Sequence, residues 1–191
     1  RAVLALGTTL EQPPLLRTAI ADARSLLLRV LSENIFETPE VRGLISNAIE
    51  DEPPLNISDG GTIRRGFSAE LDELRSLATD AKRLIAEFEE RERERTGIAN
   101  LKIRFNNVFG YYIEVSKANA AKVPDDYQRR QTLANAERFT TPQLKEWESK
   151  VLGAEERIRE LEIELFNEVR LKIRAETHTL QTTARALATL D

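Results

Sequence analysis

The chain has 191 residues, 41% of them apolar and 31% charged, and a formal net charge of −4. That length suffices for one or two domains with a real core. No run approaches the ~18 apolar residues that a bilayer span needs, so no membrane partner is expected. There is no Cys, and His178 is the single His, which excludes disulfides, thiolate zinc sites and most other transition-metal sites. The opening RAVLALGTTLEQPP lacks the layout of a signal peptide, and a cytoplasmic location is expected. The chain starts at Arg1 and stops at Asp191 inside a helical pattern with no closing Gly or Pro, so it reads as a piece of something longer.

Residues 1–14 show no period and end at Pro13-Pro14, which reads as loop. Apolar residues crowd from Leu15 to Leu31 and suggest a buried helix. Thr38-Pro39 has the form of an N-cap followed by Pro at the first helical position, opening a short helix to about Ile49. Asn56 to Gly61, NISDGG, is turn chemistry. Residues 1–66 are therefore expected to be a fragment of a helical core.

A different pattern follows. Phe67, Leu71, Leu74, Ala78, Ala81, Ile85 and Phe88 fall alternately four and three apart, the seam of a two-helix coil. Ser68 suits the N-cap and Gly97 a left-handed C-cap, giving a helix over 67–97. Its Glu89–Arg95 run alternates in sign and reads as solvated surface. Residues 98–141 are the strand-like part. Leu101, Ile103 and Phe105 alternate with Lys102, Arg104 and Asn106, and NNVFG then leads into Tyr111-Tyr112-Ile113-Glu114-Val115, a hairpin signature.

Thr141-Pro142 repeats the cap signal, and Leu144, Trp147, Val151, Ala154, Ile158, Leu161 and Leu165 form a second seam. This seam blurs over Phe166–Ile173 and resumes loosely through Leu180, Ala184, Leu187 and Leu190. Unbroken over 142–191, the helix would be on the order of 70 Å long. The economical solution is mainly α: a helical core fragment plus two long antiparallel helices that bury their seams and carry a small β-sheet at the far end.

Enzymatic motifs are missing. GxxxxGK[ST], GxSxG and HExxH do not occur, and pairs such as Glu89-Glu90 and Glu155-Glu156 fall on polar helix faces, so the chain is not expected to be an enzyme by itself. Charge is uneven: residues 97–141 hold seven basic side chains against four acidic ones, within an acidic whole. Such a local excess suits phosphate contact.

Three stretches carry a family resemblance: GGTIRRGFSAELDELR, LKIRFNNVFGYYIEVSKAN and VPDDYQRRQTLANAERFTTPQLKEWESKVL. Together they resemble the MutS family of DNA mismatch repair proteins over roughly residues 55–191, in its lever and clamp region. The resemblance implies that 67–97 and 142–191 are lever helices and 98–141 a clamp held against the backbone of duplex DNA. It also implies a second MutS-like subunit, a MutL-like repair factor, and nucleoid association if the source is bacterial. ATP and magnesium would belong to the full-length family, with no cofactor in this segment. The family reads mismatches with a Phe-x-Glu motif. The two such strings here, Phe88-Glu89-Glu90 and Phe166-Asn167-Glu168, fall in helical patterns and are set aside.

On the clamp, the candidate phosphate contacts are Asn106, Asn107, Lys117, Arg129, Arg130, Gln131, Thr132, Asn135 and Arg138. Their side-chain types hold phosphate oxygens without reading sequence. The alternative is that Arg129 and Arg130 cap the long helices or pair with Asp125 and Asp126. Tyr111, Tyr112 and Phe139 read as clamp core, because hairpin positions alternate into a core. Related sequences usually carry Lys where Ala134 stands, and often a basic residue where Asn107 stands. A competing reading of the whole is an antiparallel coiled-coil arm that docks a protein partner and never touches DNA.

Overall fold

The computed structural model describes all residues, 1–191, as two compact units. One comprises residues 70–158. The other is built from 1–69 and 159–191. The chain is mainly helical with one four-stranded antiparallel sheet. No helix is long and apolar enough to cross a membrane.

The unit formed by 1–69 and 159–191 contains four short helices, α1 (Ala2–Thr9), α2 (Gln12–Ile20), α3 (Leu26–Glu33) and α4 (Pro39–Ala48). The expected loop over 1–14 is thus helical. Pro13 and Pro14 sit in the first turn of α2, where a missing N–H costs no hydrogen bond. The expected single helix over Leu15–Leu31 is two, separated at residues 21–25. Its leucines are also divided: Leu31 is buried, whereas Leu15, Leu26, Leu27 and Val30 are exposed. Thr38 does precede α4, but its hydroxyl makes no cap bond and is buried without a partner.

After the long helix α5 (Ala69–Thr96), strands β1 (Lys102–Asn106), β2 (Gly110–Ser116), β3 (Gln128–Thr132) and β4 (Ala136–Thr140) precede α6 (Pro142–Ala175) and α7 (Thr177–Leu190). The expected helix over 142–191 is therefore interrupted at Glu176 (φ −92°, ψ 12°), just past the blurred part of the seam. There the N–H of Glu176 reaches only to the carbonyl of Ile173, 3.1 Å away, an i to i−3 bond that closes the α-helical ladder. In α7 the inward positions are Thr183 and Ala186, with Ala184 exposed. Thr183 accepts the N–H of Phe36 through its hydroxyl (3.0 Å), and Ala186 packs on Leu31 and Ile35. In the same unit the fully buried Glu162 of α6 accepts the N–H of Thr62 at 2.9 Å.

In the unit of residues 70–158 the seams behave as expected. Leu71, Ala78, Ala81, Ile85 and Phe88 on α5, and Leu144, Trp147, Val151 and Ala154 on α6, are all buried. The helices are antiparallel, because partners ascend one as they descend the other: Lys82 with Glu155 (2.6 Å), Phe88 with Trp147 (ring centroids 5.2 Å, edge to face) and Arg91 with Gln143 (3.3 Å). The aromatic pair alone contributes about 0.5–1.5 kcal/mol beyond its buried area. α6 begins with a working cap, the Thr141 hydroxyl accepting the Leu144 N–H at 3.1 Å.

The sheet order is β1-β2-β4-β3. β1 and β2 form the expected hairpin, with Asn106 opposite Gly110 and Ile103 opposite Ile113. Ile113, Val115 and Phe139 join Ile85, Phe88, Leu144 and Trp147 in one core. Tyr111 is half-buried against that core, Phe139 is buried within it, and Tyr112 is also buried. The Glu89–Arg95 run is more than a solvated surface. Glu89 accepts the N–H of Ile103, Arg93 donates to the Leu101 carbonyl (2.7 Å), and Glu92 is only 4% exposed. The end of α5 thus caps the outer edge of β1 with charged side chains.

Gly110 sits at φ +72°, and a Cβ there would lie 2.2 Å from Oε2 of Glu148, whose carboxylate accepts the Tyr111 N–H. Gly97 has φ +63° and open space around it. Gly97→Ala is expected to cost about 1–2 kcal/mol from backbone conformation alone. Gly110→Ala adds the loss of a charged hydrogen bond and should cost about 1–3 kcal/mol more. Urea unfolding of the two variants checks this, and equal losses would contradict it.

Candidate nucleic-acid interface

The nine candidate residues do not form one cluster. Asn106 and Asn107 occupy the β1–β2 turn, where Asn106 Oδ1 accepts the N–H groups of Val108 (2.7 Å) and Phe109 (3.1 Å). That side chain is fastened by its own turn, a common use of Asn at such positions, while Asn107 is exposed. Lys117 and Asn135 lie at the other end of the sheet. There the Lys117 N–H donates to the Asn135 carbonyl (3.1 Å), next to the register pair Ser116–Ala136. The two ends of β2 are separated by about 20 Å at ~3.3 Å per residue.

The remaining five are on β3 and β4. Arg129, Arg130 and Thr132 are exposed on β3, an edge strand, and the register shifts between Arg129 and Gln131, so Arg130 occupies a β-bulge. Arg129 is 61% exposed at its side chain, pairs with Glu137 (Nε to Oε2, 3.0 Å) and covers the ring of Phe139 at 5.9 Å. Arg130 makes no ion pair and no hydrogen bond through its side chain, leaving its guanidinium open to solvent. Neither arginine meets Asp125 or Asp126; Asp126 instead pairs with Arg95 at 3.1 Å. Arg138, by contrast, is 18% exposed. It donates to Gln131 (2.8 Å), stands 3.5 Å from Glu114 and stacks on Tyr112 at 4.4 Å. Glu114 also faces Arg104 at 3.3 Å, so this face of the sheet is largely neutralised internally.

Two groups escaped the sequence reading. Lys102 and Arg104, which entered only the local charge count and the polar half of the alternation and were not among the candidate contacts, are exposed on β1, the opposite edge strand. The second is a buried polar network behind β3. Glu92 of α5 accepts the Tyr127 hydroxyl at 2.8 Å and Arg95 Nε at 3.0 Å, while Arg95 bridges onward to Asp126. The Tyr127 ring lies 5.8 Å from that of Phe139 and under the Arg95 guanidinium at 5.7 Å. A lone aromatic in the polar stretch VPDDYQRR was the single hint of it.

This arrangement holds no catalytic constellation. It offers cations and neutral donors on an edge strand, a surface suited to a polyanion, set on a small sheet fastened to two long helices. Comparison with known proteins gives the family. Residues 66–157 match the family model described as MutS family domain IV. Along its whole length the chain is 54% identical to a protein of Solibacter usitatus, 50% to one of Pelotomaculum thermopropionicum and 51% to one of Symbiobacterium thermophilum. Each of these carries the name DNA mismatch repair protein MutS. The chain belongs to the MutS family. It spans 22% of the length of these curated relatives.

Burial first, then the hydrogen bond to Glu92, pushes the Tyr127 hydroxyl well above the ordinary tyrosine value, with Arg95 opposing. A proton held more tightly in the folded state stabilises it below the unfolded tyrosine pKa of about 10, and that contribution is lost as pH rises above it. Melting temperature should therefore fall between pH 9.5 and 11 in the unaltered chain. Tyr127→Phe should flatten that fall while leaving the weaker share from Tyr111, whose hydroxyl is also raised by burial. An identical alkaline slope in the variant would contradict the assignment.

Proposed function

We propose that residues 98–141 form a clamp that grips the backbone of duplex DNA without reading sequence, and that α5 and α6 act as levers carrying that grip to the rest of a mismatch repair protein. The observation that carries the reading is Arg130, an unpaired guanidinium on a bulged edge strand, with Arg129 beside it and Thr132 two residues on. Bulges re-aim side chains at sheet edges, and an Arg free of carboxylates is the side chain best suited to bidentate phosphate contact. Lys117 and Asn135, joined through their backbones where β2 ends and β4 begins, would add further contacts. Gln131, Arg138 and Asn106 are engaged within the fold and serve the site by shaping it.

On this reading the chain performs no chemistry. ATP and magnesium would act in another part of the longer protein, since no phosphate loop occurs in these 191 residues. A second MutS-like subunit would close around the duplex, a MutL-like factor would follow, and the setting would be the cytoplasm and nucleoid. The exposed Phe105, Val108 and Phe109 on the β1–β2 hairpin favour the other reading, a helical arm that docks a protein.

Fluorescence anisotropy of a labelled, mismatch-free 30-base-pair duplex, titrated with the chain at several salt concentrations, tests the grip. Affinity should fall with salt at a slope near −0.9 per phosphate contacted. Arg129→Glu/Arg130→Glu should reduce that slope by about two and weaken binding at every salt concentration. Binding that is absent at low salt, or unchanged in the variant, would leave the protein-docking arm as the better reading.

A further inference from the structure

We propose that Glu92, at the end of α5, is a positioning residue for the phosphate-binding edge, acting through Tyr127 and Phe139 to hold Arg129 and the bulge in place. The inference rests on the backbone-grip reading and adds to it a specific connection between the long helix and the gripping strand. The contacts run in sequence. The Glu92 carboxylate, 4% exposed, accepts the Tyr127 hydroxyl at 2.8 Å. The Tyr127 ring lies against Phe139 at 5.8 Å, and Phe139 in turn carries the Arg129 guanidinium on its ring at 5.9 Å. Tyr127 immediately precedes β3, so the hydroxyl fixes the point at which that strand enters the sheet. Arg95 closes the arrangement from outside, binding Glu92 through Nε and reaching Asp126, one residue before Tyr127, at 3.1 Å.

A buried carboxylate is an inefficient way to stabilise a fold, since apolar side chains of equal volume do so as well or better. Directional bonds do what apolar contact cannot: they select one orientation. β3 has particular need of that. It is an edge strand with β4 as its single neighbour, it is bulged, and its sequence QRRQT has no apolar residue to set its register from below. Without the hydroxyl link the strand would still pair with β4, but the pose of Arg129 and Arg130 would be one of several, and binding would have to order them.

Tyr127→Phe and Glu92→Gln test this in the 191-residue chain. Neither removes a cation, and Glu92→Gln makes the chain less negative, so electrostatics alone predicts unchanged or tighter DNA binding. Positioning predicts the reverse: duplex affinity about three- to tenfold weaker in both, the equivalent of one lost hydrogen bond, with the salt slope unchanged because the phosphate contacts still form. Amide hydrogen exchange should quicken in Gln128–Thr132 and stay as it was in β1 and β2. Unchanged affinity with only a lowered melting temperature would overturn the proposal and make the network purely structural. A reduced salt slope would also overturn it, by showing that phosphate contacts themselves had been lost. If the unaltered chain binds no duplex, the grip reading fails first and this inference with it. If the unaltered chain binds and the Arg129→Glu/Arg130→Glu variant does not, but these two variants bind normally, only the positioning role fails.

Discussion

Three carboxylates hold the sheet to the helices, and the rest of the 70–158 unit depends on them. Glu89 accepts the N–H of Ile103 in β1, Glu148 accepts that of Tyr111 in β2, and Glu92 takes the hydroxyl of Tyr127 at the entrance to β3. Each is paired with a cation on its own helix: Arg93, Lys145 and Arg95 respectively. Apolar packing between Ile113, Val115, Phe139, Phe88 and Trp147 supplies the non-directional cohesion. The carboxylates add direction. A hydrophobic interface tolerates sliding and rotation, whereas a carboxylate bonded to a particular backbone N–H does not.

That division matters for a surface built to hold a polyanion. The cations of the sheet are of two kinds. Arg104 and Arg138 share Glu114, and Arg138 is further engaged with Gln131 and Tyr112, so their charge is spent on the sheet's own geometry. Arg130, Lys117 and Lys102 remain exposed and uncommitted, and Arg129 is half committed to Glu137. Net charge could not separate these groups, because every Arg counts equally in a sum. What separates them is which carboxylate lies across the strand pair, a matter of register.

The unit of residues 1–69 and 159–191 follows another logic. It joins segments from the two ends of the chain through a few polar contacts of high sequence separation: Thr62 with Glu162, and Phe36 with Thr183. The apolar pattern pointed to Leu161 and Ala184 as inward positions. Glu162 and Thr183 are buried beside or in place of them because each satisfies a backbone N–H that would otherwise be orphaned in the interior. Hydrophobic periodicity cannot report such residues, since their burial is set by what they bond.

The sequence by itself determined the two long seams, the β1–β2 hairpin, the caps at Thr141 and Gly97, and the family, through motifs that run along most of the chain. These are local or periodic features, fixed by side-chain spacing and by the conformations that Pro, Gly and β-branched residues permit. The tertiary structure alone decided the bounds of β3 and its pairing, because QRRQT is polar throughout and its one neighbour in the sheet is β4. It decided the helix break at Glu176, and it divided the leucines of 15–31 between core and solvent. It also scattered the nine candidate residues over both ends of the sheet and left Arg130 free while occupying Arg138. Each of these depends on groups distant in sequence meeting in space, and spacing along a chain carries no record of that.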